Sequence, residues 1–193
     1  MAGQKVEQIK ASIRELAEPL LEALGLDIWG LEVIVGPRTV VRIYIEAQAR
    51  EEQAEPVKPV GIEKCAEVSR QLGLALEVED IFPEAWVLEV STPGLDRVFF
   101  SLEQMQAYLG DLIEAKLTSI YPQGPGGRKV WRGNLVKLSN KDLTIKPCEI
   151  TSDDRIKELS LPEITLPWNL CRQVKRLALF PKPLKPGKGP AKS

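Results

Sequence analysis

Leu88-Glu89-Val90-Ser91-Thr92-Pro93-Gly94-Leu95-Asp96-Arg97 lies near the midpoint of a 193-residue chain, and its reading divides the fold in two. Trp86, Leu88 and Val90 alternate with Val87, Glu89 and Ser91, the period of two that places one set on a buried face, so the stretch begins as a strand. Pro93 fixes its own φ and disfavours the helical region for Thr92, while Gly94 is free to take a positive φ, so the strand closes in a turn. Leu95, Asp96 and Arg97 follow at once. An apolar residue and an opposite-charge pair just past a tight turn suit a joint between two folding units, made by Ser91, Pro93, Gly94, Leu95, Asp96 and Arg97. A plainer role, in which Asp96 and Arg97 pair locally or cap the turn, fits the same residue types.

Upstream of the turn, Val6, Ile9, Ile13, Leu16, Leu20 and Leu24 recur at spacings of three and four and predict an amphipathic helix over about residues 4–24. Gly25 is its stop, and Pro19 inside the pattern predicts a kink or a restart. Leu31, Val33 and Val35 form the inward face of a strand. After the Gly36-Pro37-Arg38-Thr39 turn, Val41, Ile43 and Ile45 face inward on the return strand, with Arg42, Tyr44 and Glu46 on a wet face. Residues 47–59 are rich in Glu, Gln and Pro and read as a solvated loop. A second helix over about 60–76 carries Ile62, Cys65, Val68, Leu72 and Leu76 on one stripe. The order α-β-β-α-β folds most simply as helices packed on one face of a small antiparallel sheet.

Downstream, Ser101 with Gln104 makes a capping box, and Leu102, Met105 and Leu109 give a short helix stopped by Gly110. The period then changes. Residues 113–117, 130–136, 143–145 and 174–179 read as short strands between turn-rich segments, which suggests a small β-barrel. Gly133 in mid-strand suits a sharp bend, and Trp131 and Trp168 are core residues or exposed stacking platforms. The Pro- and Lys-rich residues 181–193 cannot build a core and are expected to be disordered.

Composition excludes more than it assigns. The chain has no histidine, so no imidazole base, histidine ligand or Ser-His-Asp system exists. No phosphate-cradling glycine motif stands between a strand and a helix, and the cluster Glu77, Glu79, Asp80 reads as solvated loop, so the expectation is no enzyme, no catalytic residue and no cofactor. Three widely spaced cysteines offer no metal pattern and suit reduced thiols in a cytoplasmic protein, and no metal site is expected. No apolar run is long enough to span a membrane. The net charge of -1 hides a split: residues 1–97 carry 18 acidic and 10 basic side chains, and the remainder carries 9 and 16. An acidic and a basic module with different partners would give such a balance. The α-β-β-α-β order also fits RNA-binding KH modules, but the GxxG at residues 124–127 lies in the wrong half and reads as a chance match in a glycine-rich turn.

The residues quoted above carry a resemblance. The helix ending Glu22-Ala23-Leu24-Gly25, the strand Val41-Arg42-Ile43-Tyr44-Ile45, the segment Cys65-Ala66-Glu67-Val68-Ser69 and above all Leu88 to Arg97 resemble the RimP family of ribosome maturation factors, over roughly residues 6–180. The chain departs from that pattern at Val98, where a proline usually follows the arginine, in the loop at 122–127, and in its Lys/Pro tail. The resemblance implies an α/β domain at 1–97, a joint and short helix at 98–110, an SH3- or Sm-like barrel at 111–180 and the basic tail at 181–193. It implies a non-enzymatic factor, expected to be monomeric and membrane-independent. Such a factor binds the immature small (30S) ribosomal subunit, 16S rRNA and a basic small-subunit ribosomal protein, and assists rRNA folding and late protein incorporation. Candidate rRNA contacts are Arg128, Lys129, Arg132, Lys175, Arg176, Lys182 and Lys185. A general RNA-binding module driven by the basic half is the competing expectation.

Overall fold

In the computed structural model, which describes residues 2–48, 60–121 and 127–179, the first helix, α1 (Ala2–Ala23), runs unbroken through Pro19. Its deepest residues are Ile13, Ala17 and Leu21, spaced by four. The expected stripe is off-centre: Ile9, Leu16, Leu20 and Leu24 pack at the margin, and Ala17, too small to mark a period, lies in the middle. Pro19 sits on the exposed side, where water can satisfy the carbonyl that loses its partner.

The hairpin β1 (Leu26–Ile34) and β2 (Thr39–Ala47) is antiparallel, with a bulge between Ile28 and Gly30. Val41, Ile43 and Ile45 are fully buried, as their alternation requires, whereas Val35 lies beyond β1 and is exposed. Helix α2 (Ile62–Val78) packs Val68, Leu72 and Leu76 into the same core. Ile62, expected at the head of that stripe, is 80% exposed; periodicity gives a residue its phase but not how far along the helix the core reaches. Strand β3 (Trp86–Ser91) pairs with β2 in parallel, Val41 opposite Leu88 and Ile43 opposite Val90. The sheet, ordered β1-β2-β3, is therefore mixed and not the antiparallel sheet expected. Its connection explains this, because a crossover helix returns the next strand in the same direction.

The chain divides into two compact units, Met1–Gly94 and Leu95–Ser193. Gly94, the last residue of the first, has φ +67°, a conformation that costs a side-chain-bearing residue about 1 kcal/mol. The second unit opens with β4 (Val98–Phe99) and a short helix of the 3-10 kind at Glu103–Tyr108. Ser101 Oγ accepts from the Gln104 amide at 3.4 Å, but the Gln104 side chain reaches back to the Phe100 amide, at 2.7 Å, one residue short of a true capping box.

Six strands follow: β5 (Leu112–Leu117), β6 (Val130–Leu138), β7 (Asp142–Ile150), β8 (Ile156–Glu158), β9 (Ile164–Pro167) and β10 (Cys171–Arg176). The order is β4-β10-β5-β6-β7-β8, and β9 also pairs with β7. Ile113, Ala115, Trp131, Leu135, Leu143, Ile145, Leu166 and Val174 form the core, so Trp131 is a core residue and not a stacking platform. β8 and β9 were not expected, being too short to announce themselves. β10 begins three residues earlier than its apolar run suggests, because Val174, not the 177–179 run, faces the core. A 3-10 turn at Trp168–Leu170 separates β9 from β10, and no ladder joins them among the described residues, so this sheet is not a closed barrel. Gly133 answers to a close approach: a Cβ there would lie 2.3 Å from the Lys146 carbonyl oxygen on β7, so the two backbones pack too closely for a side chain. The whole is a mixed α+β protein with two small sheets.

Candidate functional site

The stretch that closes β3 hands its polar residues to the second unit. Asp96 Oδ1 accepts the Ala178 amide at 2.7 Å, and the Arg97 carbonyl accepts the Arg176 amide at 2.9 Å. Val98 and Phe99 then stand opposite Lys175 and Val174 on β10. Asp96 and Arg97 thus hold a strand that follows them by some eighty residues, a role beyond a local pair or turn cap. Leu95 stays 59% exposed.

Arg97 also meets Tyr108. One guanidinium nitrogen donates to the Tyr108 hydroxyl, and the Arg97 and Arg176 Cζ atoms lie 5.5 and 5.6 Å from the ring centroid. Phe99 meets the same ring edge-on at 5.1 Å. Arg176 Nε donates to Asp111 Oδ2 at 2.6 Å. Two cations against one ring, with a carboxylate to balance one of them, make a strut. Arg176, expected to contact rRNA, is a member of it and only partly exposed.

A second row crosses the sheet from the strand that carries Arg176. Lys175 on β10 stands opposite Glu114 on β5, which stands opposite Arg132 on β6. Residues directly opposite share a face. Glu114 is only 5% exposed, accepts from Arg132 Nε at 2.7 Å and lies 3.6 Å from Lys116 Nζ. A buried carboxylate under two cations pins the Arg132 guanidinium while leaving it at the surface. Arg132 is the ridge between two grooves. One, of about 370 Å³, is lined by Lys175, Asp96 and Asp154; the other, of about 390 Å³, by Arg128, Trp131, Cys148 and Glu149. The structure therefore brings Arg128, Arg132 and Lys175 to one contiguous surface. Lys129 is exposed beside Arg128, and Lys182 and Lys185 lie outside the described residues.

The residues that sequence reasoning missed are Tyr108, Asp111 and Glu114. Alternation in 112–117 puts Glu114 on the outer face, but nothing in the sequence says that this face would bury it. The thiols are withdrawn: burial pushes Cys148 up and Cys171 up to about 11, and desolvation likewise raises Cys65 on α2.

The first unit carries acidic relief. On the sheet face away from its core, Arg42 Nε donates to Glu89 at 2.7 Å and Nη1 to Glu32 at 3.2 Å, which holds the guanidinium yet more firmly protonated. Between α1 and β1, Glu18, Glu22 and Asp27 line a cleft of about 570 Å³ with Arg14 as its cation. Among the described residues no helix is long and apolar enough to cross a membrane.

Residues 16–96 match the family profile described as the RimP N-terminal domain. A protein of Desulfovibrio desulfuricans named ribosome maturation factor RimP is 39% identical, the alignment covering 93% of this chain and 84% of that one. A Nitratidesulfovibrio vulgaris protein of the same name is 38% identical over 92% of this chain and 95% of its own length. One from Lawsonia intracellularis is 36% identical over 67% and 68%.

Proposed function

As this chain belongs to the ribosome maturation factor RimP family, we propose that it binds the immature small (30S) subunit and assists 16S rRNA folding and late protein incorporation, without catalysing a covalent step. The observation that carries this is the reach of the similarity through both units, over 92–93% of the chain. We read the open sheet of the second unit as a relative of the SH3- or Sm-like barrel, since its last strand, β10, pairs with the first long one, β5. Ser91, Pro93, Gly94 and Leu95 act as the joint, and Asp96 and Arg97 fasten the second unit's end of it.

The charge split supports a division of partners between the two units. The acidic first unit takes a strongly basic small-subunit ribosomal protein, and Arg128, Lys129, Arg132 and Lys175, with the tail lysines, take rRNA phosphates. The protein works as a cytoplasmic monomer.

Co-sedimentation with free small subunits, assembled ribosomes and naked 16S rRNA at two salt concentrations tests this reading. Retention on free subunits, persisting at the higher salt, is the expected result. Equal binding to naked rRNA that collapses as salt rises would instead make the protein a general charge-driven RNA binder.

A further inference from the structure

Trp131 is the one buried side chain among the described residues whose polar atom lacks a partner: its indole Nε1 makes no hydrogen bond. A buried donor left unmade carries a desolvation cost that natural cores rarely tolerate without cause. Here the orphan does not sit in featureless core. Trp131 forms part of the wall of the groove of about 390 Å³ beside Arg132, together with Pro147 and Leu159.

Two guanidinium groups flank that wall, and they are held differently. Arg132 Nε is committed to buried Glu114, so its head is fixed while the side chain stays 43% exposed. Arg128 stands over the indole, its Cζ 6.0 Å from the ring centroid, and its ion pair with Glu149 is 3.6 Å long and exposed, a pair that solvent readily exchanges. Arg128 is thus a movable cation over the indole of an unpartnered donor, next to a fixed cation.

A ligand suited to this groove has a flat apolar body for Pro147 and Leu159, an acceptor on its edge for Nε1, and negative charge at its ends for the two arginines. An unstacked nucleotide has all three. We infer that the groove seats one base of single-stranded RNA, its edge accepting from Trp131 Nε1 once Arg128 has swung onto a flanking phosphate, with Arg132 on the other. An acidic peptide answers the arginines but offers no flat body for the wall. The inference rests on the reading that the second unit faces rRNA, and names where and how it does so.

The test uses the full chain labelled with nitrogen-15, in which the four tryptophans give four indole N–H signals; Trp131→Phe identifies the one concerned. On titration with hexauridylate the Trp131 indole proton should move downfield and saturate, as a donor does when it gains an acceptor. Arg128→Gln, at an exposed side chain, should weaken that binding about fivefold to tenfold without altering thermal stability. Hexaglutamate should leave the signal in place. A Trp131 signal that stays still while RNA binds, or that hexaglutamate moves equally, overturns the inference. If the wild type nevertheless sediments with free small subunits, the assembly role stands and only the groove falls.

Discussion

Replacing Gly133 by alanine places a Cβ 2.3 Å from the Lys146 oxygen, 2.8 Å from its carbonyl carbon and 3.1 Å from Pro147 Cα. All three are backbone atoms of the paired strand, so no rotamer change relieves the clash. To restore ordinary contact, β6 and β7 must part by about 1 Å, which takes a 2.9 Å hydrogen bond out of range. Overpacking costs about 1–3 kcal/mol and each lost ladder bond about 1 kcal/mol more, so the expected destabilisation is roughly 3 kcal/mol. In a unit of this size that lowers Tm by roughly 12–24 °C. Gly73→Ala is the matched control: it lies inside α2, nothing stands within 4 Å of its Cβ, and the change should stabilise by about 0.5–1 kcal/mol. Thermal unfolding followed by circular dichroism gives the size, and hydrogen exchange read by mass spectrometry gives the place, with lost protection in β6 and β7 only. A Gly133→Ala protein that melts within about 2 °C of wild type, with both strands still protected, would refute the close-approach reasoning.

Three further outcomes are expected. Asp96→Ala removes the acceptor for the Ala178 amide, and should cost about 1 kcal/mol; exchange at that amide should quicken while the β5 and β6 amides stay protected. Glu114→Gln weakens the anchor of Arg132 and Lys116, costing about 1–2 kcal/mol because the partners can rehydrate at the surface; a urea titration in which the midpoint does not move would exclude it. For the thiols, burial disfavours thiolate, so at pH 8 Cys171, pushed up to about 11 from an ordinary 9.0, should alkylate roughly a hundredfold more slowly than in the denatured chain. The folded state keeps that proton where the unfolded chain releases it. The stability it contributes is therefore full below about pH 9 and is lost as pH rises through about 11.

Much of this was legible beforehand for a local reason. Pro93 and Gly94 encode their turn in two residues, and Val41, Ile43 and Ile45 need only alternate to declare a face. What the sequence hid was relational. Alternation does not record strand direction, so the parallel pairing of β3 was invisible although α2, which causes it, was read. The strut at Tyr108 gathers Arg97, Asp111 and Arg176, the last two 65 positions apart, and no local pattern links them. Glu114 looked like any charged residue on an outer face until its neighbours across two strands buried it. Arg132 was named for its charge, while the carboxylate that holds it was not.

The placement of β10 between β4 and β5 bears on how this protein is made. Among the described residues it is the last strand in sequence, yet it lies inside the sheet and joins the unit's two earliest strands. While the chain is being synthesised, β4 and β5 emerge with no partner between them, and Asp96 waits for an amide eighty-two residues away. The first unit, complete by Gly94, can fold while translation continues. The sheet of the second can join β4 to β5 only after residues 171–176 have been made, because β10 is the strand between them.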